Sequence, residues 1–323
     1  MENRVYDLDI PVSSFNSRLL ARVLDSGYHC IAVSHSVNID DFNFNLKSGE
    51  ASLRKKTKEE RQNMRSSLMS QLKPTSTEKL DKCLEESHAF RATIQPPAAG
   101  FTPRIFRRIT LYCEDPSLTG LFFREFGEML NAYDVVSLIP LTSDALSYAI
   151  EQTPAIDLIT IDYTKTSDLR ITSKQCSTLL SHGLHLELQV NPVLRPGQAG
   201  TSARSNFAHL ITNLLTVTRP SFKKALVFSS GVTNGWEVRR PIAVASILTC
   251  LGVYPEEVVH HALTRGPCAV LTHGLWRSRT AHGASTLLRL LPMPCVLSIR
   301  EAKEPDGVNE EVPAKKQKLS IPH

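Results

Sequence analysis

At 323 residues, 41% of them apolar and 21% charged, the chain has material for one large domain or two small ones around a sizeable core. A formal net charge of +5 is mildly basic, which permits a polyanionic partner without requiring one. The seven cysteines are scattered, odd in number and form no C-x-x-C pair, and no run reaches the ~18 to 20 apolar residues of a membrane span. A disulfide framework, a structural zinc site and a membrane partner are therefore not expected, and a reducing compartment is.

Val5–Ile10 alternates apolar and acidic residues, which predicts a first strand with Asp7 and Asp9 opposite Tyr6 and Leu8. MENRVYDLDI has no signal-peptide h-region ahead of it. Leu19, Leu20, Val23 and Leu24 make a helical stripe closed by Gly27, and Cys30–Val33 predicts a second strand ending in Ser34-His35. From Asp40 to Pro103 Lys, Glu, Ser, Gln and Pro dominate, so residues 40–103 are expected to be a mostly disordered insertion, with a polar helix over roughly Ser52 to Leu72.

Strands then follow at Ile109–Cys113, Val135–Ile139, Ile156–Ile161 and Leu184–Val190. Their helices are opened by Asp115-Pro116, marked by Ala145, Leu146, Ala149 and Ile150, and placed near Lys174–Ser181. Phe207, Leu210, Ile211, Leu214 and Leu215 form the strongest stripe, started by Ser205 or Asn206. Ala225–Phe228 reads as a buried strand, followed by turns at Ser229-Ser230-Gly231 and Asn234-Gly235. Pro241 then opens a helix that carries Val244, Ile247, Leu248 and Leu251. Pro255-Glu256-Glu257 opens another through Leu263, and Cys268–Leu271 reads as a last strand ending Thr272-His273-Gly274.

Seven or eight short apolar strands, each followed by a helix, imply a parallel sheet covered on both faces. No Gly-rich dinucleotide loop follows the first strand, so the reading is α/β, a TIM-barrel-like (β/α) barrel, over residues 1–39 and 104–300. Residues 301–323 are expected to be a disordered tail, with Lys315, Lys316 and Lys318 as a basic cluster of the nuclear-localisation type.

Three constellations could carry chemistry. Asp9, His35, Asp162 and His273 fall at or near strand ends and Glu187 lies within a strand; converging on one mouth, such residues could hold a water-activating metal, but H-x-H and H-E-x-x-H patterns are absent. FSSGV departs from the G-x-S-x-G of a hydrolase elbow, so Ser229 and Ser230 read as small residues that let a phosphate come close. Arg195, Arg204, Arg239, Arg240, Lys174 and Lys223 sit in loops or first turns beside strands, where guanidinium groups and helix-start N–H groups suit phosphate.

ALVFSSGV, RRPIAVASILTCLGV and CAVLTHG, with YDLDI, GYHCIAVSH, RRITLYCEDPS, YDVVSLIP and LHLELQVNP in the same order, resemble the thirty-kilodalton protein subunit of nuclear ribonuclease P. The resemblance implies a barrel related to the polymerase-and-histidinol-phosphatase metal hydrolases. Asp7-Leu8-Asp9 stands where those enzymes carry H-x-H, and His35 resembles a remnant of their second motif. It further implies a subunit with no catalytic residue or cofactor of its own, which binds the ribonuclease P RNA, engages precursor tRNA only indirectly and supports removal of the tRNA 5′ leader. Other implied partners are the MRP RNA, with a part in rRNA processing, and neighbouring subunits including a small ferredoxin-like one. The nucleus and nucleolus are the implied location. The alternative reading is a metal-dependent phosphoesterase using Asp9, His35, Glu187 and His273.

Overall fold

The computed structural model describes residues 4–41, 66, 69–94, 103–152, 155–164, 171–217 and 224–279. Seven strands, β1 (Tyr6–Pro11), β2 (Cys30–Asn38), β3 (Arg104–Cys113), β4 (Val135–Pro140), β5 (Leu158–Thr160), β6 (His185–Gln189) and β7 (Leu226–Ser229), pair in sequence order, every pair parallel. The sheet curls into a nearly closed barrel. No ladder joins β7 back to β1; instead the Asp7 carboxylate accepts hydrogen bonds from the Ser230 backbone N–H (3.0 Å) and hydroxyl across the seam.

Helices α1 (Ser17–Asp25), α2 (Thr77–Ile94), α3 (Pro116–Leu130), α4 (Ser143–Gln152), α5 (Ser173–Ser181), α6 (Asn191–Leu194), α7 (Gly197–Val217), α8 (Pro241–Cys250), α9 (Glu256–Leu263) and α10 (Arg265–Arg279) make up the rest. Local chemistry starts several of them. Asn16 caps α1 by accepting from Leu19 N, Asp115 caps α3 from Ser117 N with Pro116 at the first position, and Thr172 and Gln175 form a capping box on α5. Outward-facing Ile109, Leu111, Val136 and Leu138 bury themselves under Phe122, Phe126, Leu146 and Ile150, forming the main core between sheet and helices.

The barrel interior has two layers. Tyr6, Leu8, Cys30, Ala32, Val135, Leu158 and Val227, mostly near strand starts, form an apolar floor with Val270 of α10. Above it the inward side chains are polar: Ser34, Arg108, Thr110, Ser137, Thr160, Glu187 and Ser229, all buried.

Four expectations change. Cys268–Leu271 is not a strand but part of α10, so the strands among the described residues number seven. A short apolar run looks alike in a strand and in a buried helix, and here Val270 seals the barrel floor. The insertion is not wholly unstructured: α2 lies within it, with Leu80 buried and Arg91 paired to Asp25 of α1 at 2.6 Å. Most of the polar helix expected over Ser52 to Leu72 falls outside the described residues, as does the basic tail. Helix α7 starts at Gly197, eight residues before Ser205, after a short α6 that periodicity did not indicate. Finally, Asp7 and Asp9 do not share a face. The register slips between Asp7, opposite Ile31, and Ile10, opposite Val33; this bulge sends Asp9 to Gln189 while Asp7 meets Ser230.

Candidate nucleic-acid interface

At the barrel centre a single guanidinium uses all of its donors. Arg108 Nη1 donates to the Leu8 carbonyl (2.8 Å) and Glu187 Oε1 (2.7 Å), and Nη2 donates to Glu187 Oε2 (2.6 Å), Ser137 Oγ (3.2 Å) and Thr160 Oγ1 (3.1 Å). Its Nε donates to Thr110 Oγ1 at 2.9 Å. Burial opposes the charge on Arg108, but the fields of Asp9 and Glu187 and the Glu187 hydrogen bonds outweigh it and hold the group firmly protonated. Asp9 is pushed up by burial and by Glu187, with Arg108 opposing. Asp7 is pushed up to about 6, again by burial, which the Ser230 hydrogen bonds only partly offset.

The metal constellation is therefore not assembled as expected. Asp9 and Glu187 share the interior, but both Glu187 oxygens are taken by Arg108. His35 Nε2 turns to the Gln71 carbonyl at 2.9 Å. His273 lies on α10 beside Asp157, 2.7 Å away at the entry to β5, the opposite end of the strands from the mouth. Asp162 accepts from Thr164 in its own loop. Among the described residues no three His, Cys, Asp or Glu side chains converge as around a metal ion.

The basic residues fare differently. Lys174 lies in the first turn of α5, Arg195 precedes α7, and Arg239 and Arg240 precede α8; Arg204, expected in a loop or first turn, instead lies about two turns into α7, because that helix starts early, at Gly197. Apart from Arg204, they follow the C-terminal ends of the neighbouring strands β5, β6 and β7. Lys223 is outside the described residues. Arg204 is partly occupied: its Nη1 donates to the Val193 carbonyl at 3.0 Å and Nη2 to Thr201 Oγ1 at 3.1 Å. Ser229 and Ser230 cannot serve as expected, because Ser229 is 2% exposed and the Ser230 hydroxyl is committed to Asp7.

Charge is distributed unevenly around this rim. Helix α3 is capped by Asp115 and α4 carries Asp144 in its first turn, whereas the first turns of α5, α7 and α8 contain no acid. The positive ends of three helix dipoles and the arginines thus lie together on the β5–β7 side. Acids described there are engaged within their own loops: Asp162 accepts from Thr164, and Glu237 from the N–H groups of Thr233 (2.8 Å) and Asn234 (3.2 Å). Burial would raise the Glu237 carboxyl, yet those hydrogen bonds bring it below its usual range.

Two features escaped the sequence reading. Arg108 reads as one of several basic residues in RIFRRITLY, although its spacing to Thr110 put both on one strand face. Trp236, in the β7–α8 loop, is 89% exposed.

Residues 4–279 match the family model described as RNase P subunit p30. The chain is 26% identical over 177 residues to the Ribonuclease P/MRP protein subunit RPP1 of Saccharomyces cerevisiae, covering 55% of this chain and 56% of that protein. It is 25% identical over 178 residues to the protein GAMETOPHYTE DEFECTIVE 1 of Arabidopsis thaliana, covering 55% of this chain and 29% of that one. The chain thus matches about half the length of the first relative and under a third of the second. A chain from the cryo-EM structure of archaeal Ribonuclease P with mature tRNA shares the fold at a TM-score of 0.51 and 8% identity, over 88% of this chain and 97% of that one.

Proposed function

The chain belongs to the RNase P subunit p30 family, and from that premise we propose that it is an RNA- and protein-binding subunit of the ribonuclease P ribonucleoprotein, shared with ribonuclease MRP. In this reading it supports removal of the tRNA 5′ leader while the RNA does the cutting, acts in the nucleus and nucleolus, and docks a small ferredoxin-like subunit. The observation that carries it is the β5–β7 rim, where Lys174, Arg195, Arg239 and Arg240 lie at helix starts whose first turns hold no acid, with Arg204 further along α7. A protein that buttresses folded RNA needs phosphate contacts spread over a rigid scaffold, and this rim supplies them. The barrel centre supports the same division of labour, since the ion pair of Arg108 and Glu187 fills it.

The test is salt dependence. With Arg239→Ala and Arg240→Ala together, binding to ribonuclease P RNA weakens and the slope of log affinity against log salt falls by about one unit per lost phosphate contact. An unchanged slope removes these two residues from the interface.

A further inference from the structure

The loop between β7 and α8 is built to hold a tryptophan in solvent. Val232 and Val238 anchor its two sides in the core beneath α1, and the Glu237 carboxylate ties Thr233 and Asn234 together. Gly231, at φ +61°, turns the chain over the end of β6, where an added Cβ would come 3.1 Å from the Gln189 side chain. At the tip stands Trp236, 89% exposed, with Ile242 exposed just beyond it. Arg239 Nη1 donates to the Trp236 carbonyl at 2.6 Å, which holds a cation against the backbone of the same loop. Exposed Arg240 follows at the start of α8, its side chain making no capping bond.

A single exposed apolar residue is ordinary on a protein surface. An exposed indole on a braced loop, with two exposed arginines beside it in sequence and Glu237 already engaged by Thr233 and Asn234, is a more specific arrangement. The indole face suits a planar aromatic partner, and the cations suit an anion attached to it. We infer that Trp236 is a stacking platform for an unpaired nucleotide of RNA, whose adjacent phosphates meet Arg239 and Arg240. Stacking requires a base free of its helix, because a duplex keeps its base faces covered. The inference rests on the RNA-binding reading above and narrows it from phosphate backbone in general to a single-stranded element at this loop.

The chain has two tryptophans, so Trp276→Phe leaves Trp236 as the sole indole reporter in the full-length protein. Titration with an oligoadenylate of about ten nucleotides, within the usual site size for such platforms, quenches its emission; the same strand annealed to its complement does not. Trp236→Ala weakens single-strand binding about 5- to 100-fold and leaves the salt slope intact, while Trp236→Phe keeps most of the affinity. Equal quenching by duplex, or unchanged affinity of Trp236→Ala, overturns the inference. If Arg239→Ala with Arg240→Ala still lowers the salt slope in that case, stacking fails and the phosphate face stands; if it does not, both fall. Loss of a co-purifying protein from Trp236→Ala with RNA affinity unchanged makes the loop a protein-docking surface and also overturns the inference.

Discussion

Arg108 keeps a full charge where no water reaches, and the cost of removing that charge from solvent is met only because every donor has a partner. Removing one partner of such a buried pair is therefore especially damaging. Arg108→Met strands the Glu187 carboxylate near Asp9 and should cost about 3–5 kcal/mol in urea unfolding; a loss under about 1 kcal/mol would mean that the buried pair is not needed for the fold. Asp7 gives a pH signature. Its folded-state value of about 6 lies above its ordinary 3.8, so the unfolded chain ionises first as pH rises. The residue accordingly withdraws stability between about pH 4 and 6, roughly 3 kcal/mol in all, and contributes no difference below that window. Asp7→Asn should be more stable than the parent at pH 7 and indistinguishable from it below pH ~4; equal stability at both would mean that Asp7 is not raised.

Among the elements, α10 shows where periodicity stops being informative. CAVL is as apolar as a strand, and only its burial against the floor of the barrel distinguishes it. The helix is fixed by contacts far away in sequence: Arg277 Nε donates to both Asp157 oxygens, its Nη2 donates to the Tyr133 carbonyl, and His273 pairs with Asp157. Such partners cannot be read from a local window. At Gly274 the helix runs so close to the entry of β4 that a Cβ would lie 2.0 Å from the Asp134 carbonyl oxygen. Gly274→Ala should therefore cost about 1–3 kcal/mol by overpacking and lower the thermal midpoint by several degrees. An unchanged midpoint would mean that α10 can shift without loss. Strands β1 to β7 were legible, because β-branched and leucine runs bounded by caps and glycines carry their own signal. The start of α7 was not, since Gly197 through Ala203 is small and polar and becomes helical under Phe207 and Ile211.

In the whole molecule the parallel sheet was readable from alternation and its closing into a barrel from the missing dinucleotide loop, while the barrel's contents were not. Which strand-end acids meet which cations depends on register, and the bulge after Asp7 redirects Asp9 in a way that no alternation rule predicts. The cationic rim was legible as residues beside strands, because topology brings the ends of consecutive strands together. Trp236 was not legible, for exposure is a property of the fold and not of the word TNGWEVRR. The uneven placement of charge has a consequence: with Asp115 and Asp144 beside β3 and β4 and the arginines beside β5 to β7, the described part of the rim is electrically lopsided across its own mouth. On such a rim a polyanion would feel attraction on one side only, and within about a Debye length, roughly a nanometre, that asymmetry would favour one orientation before contact.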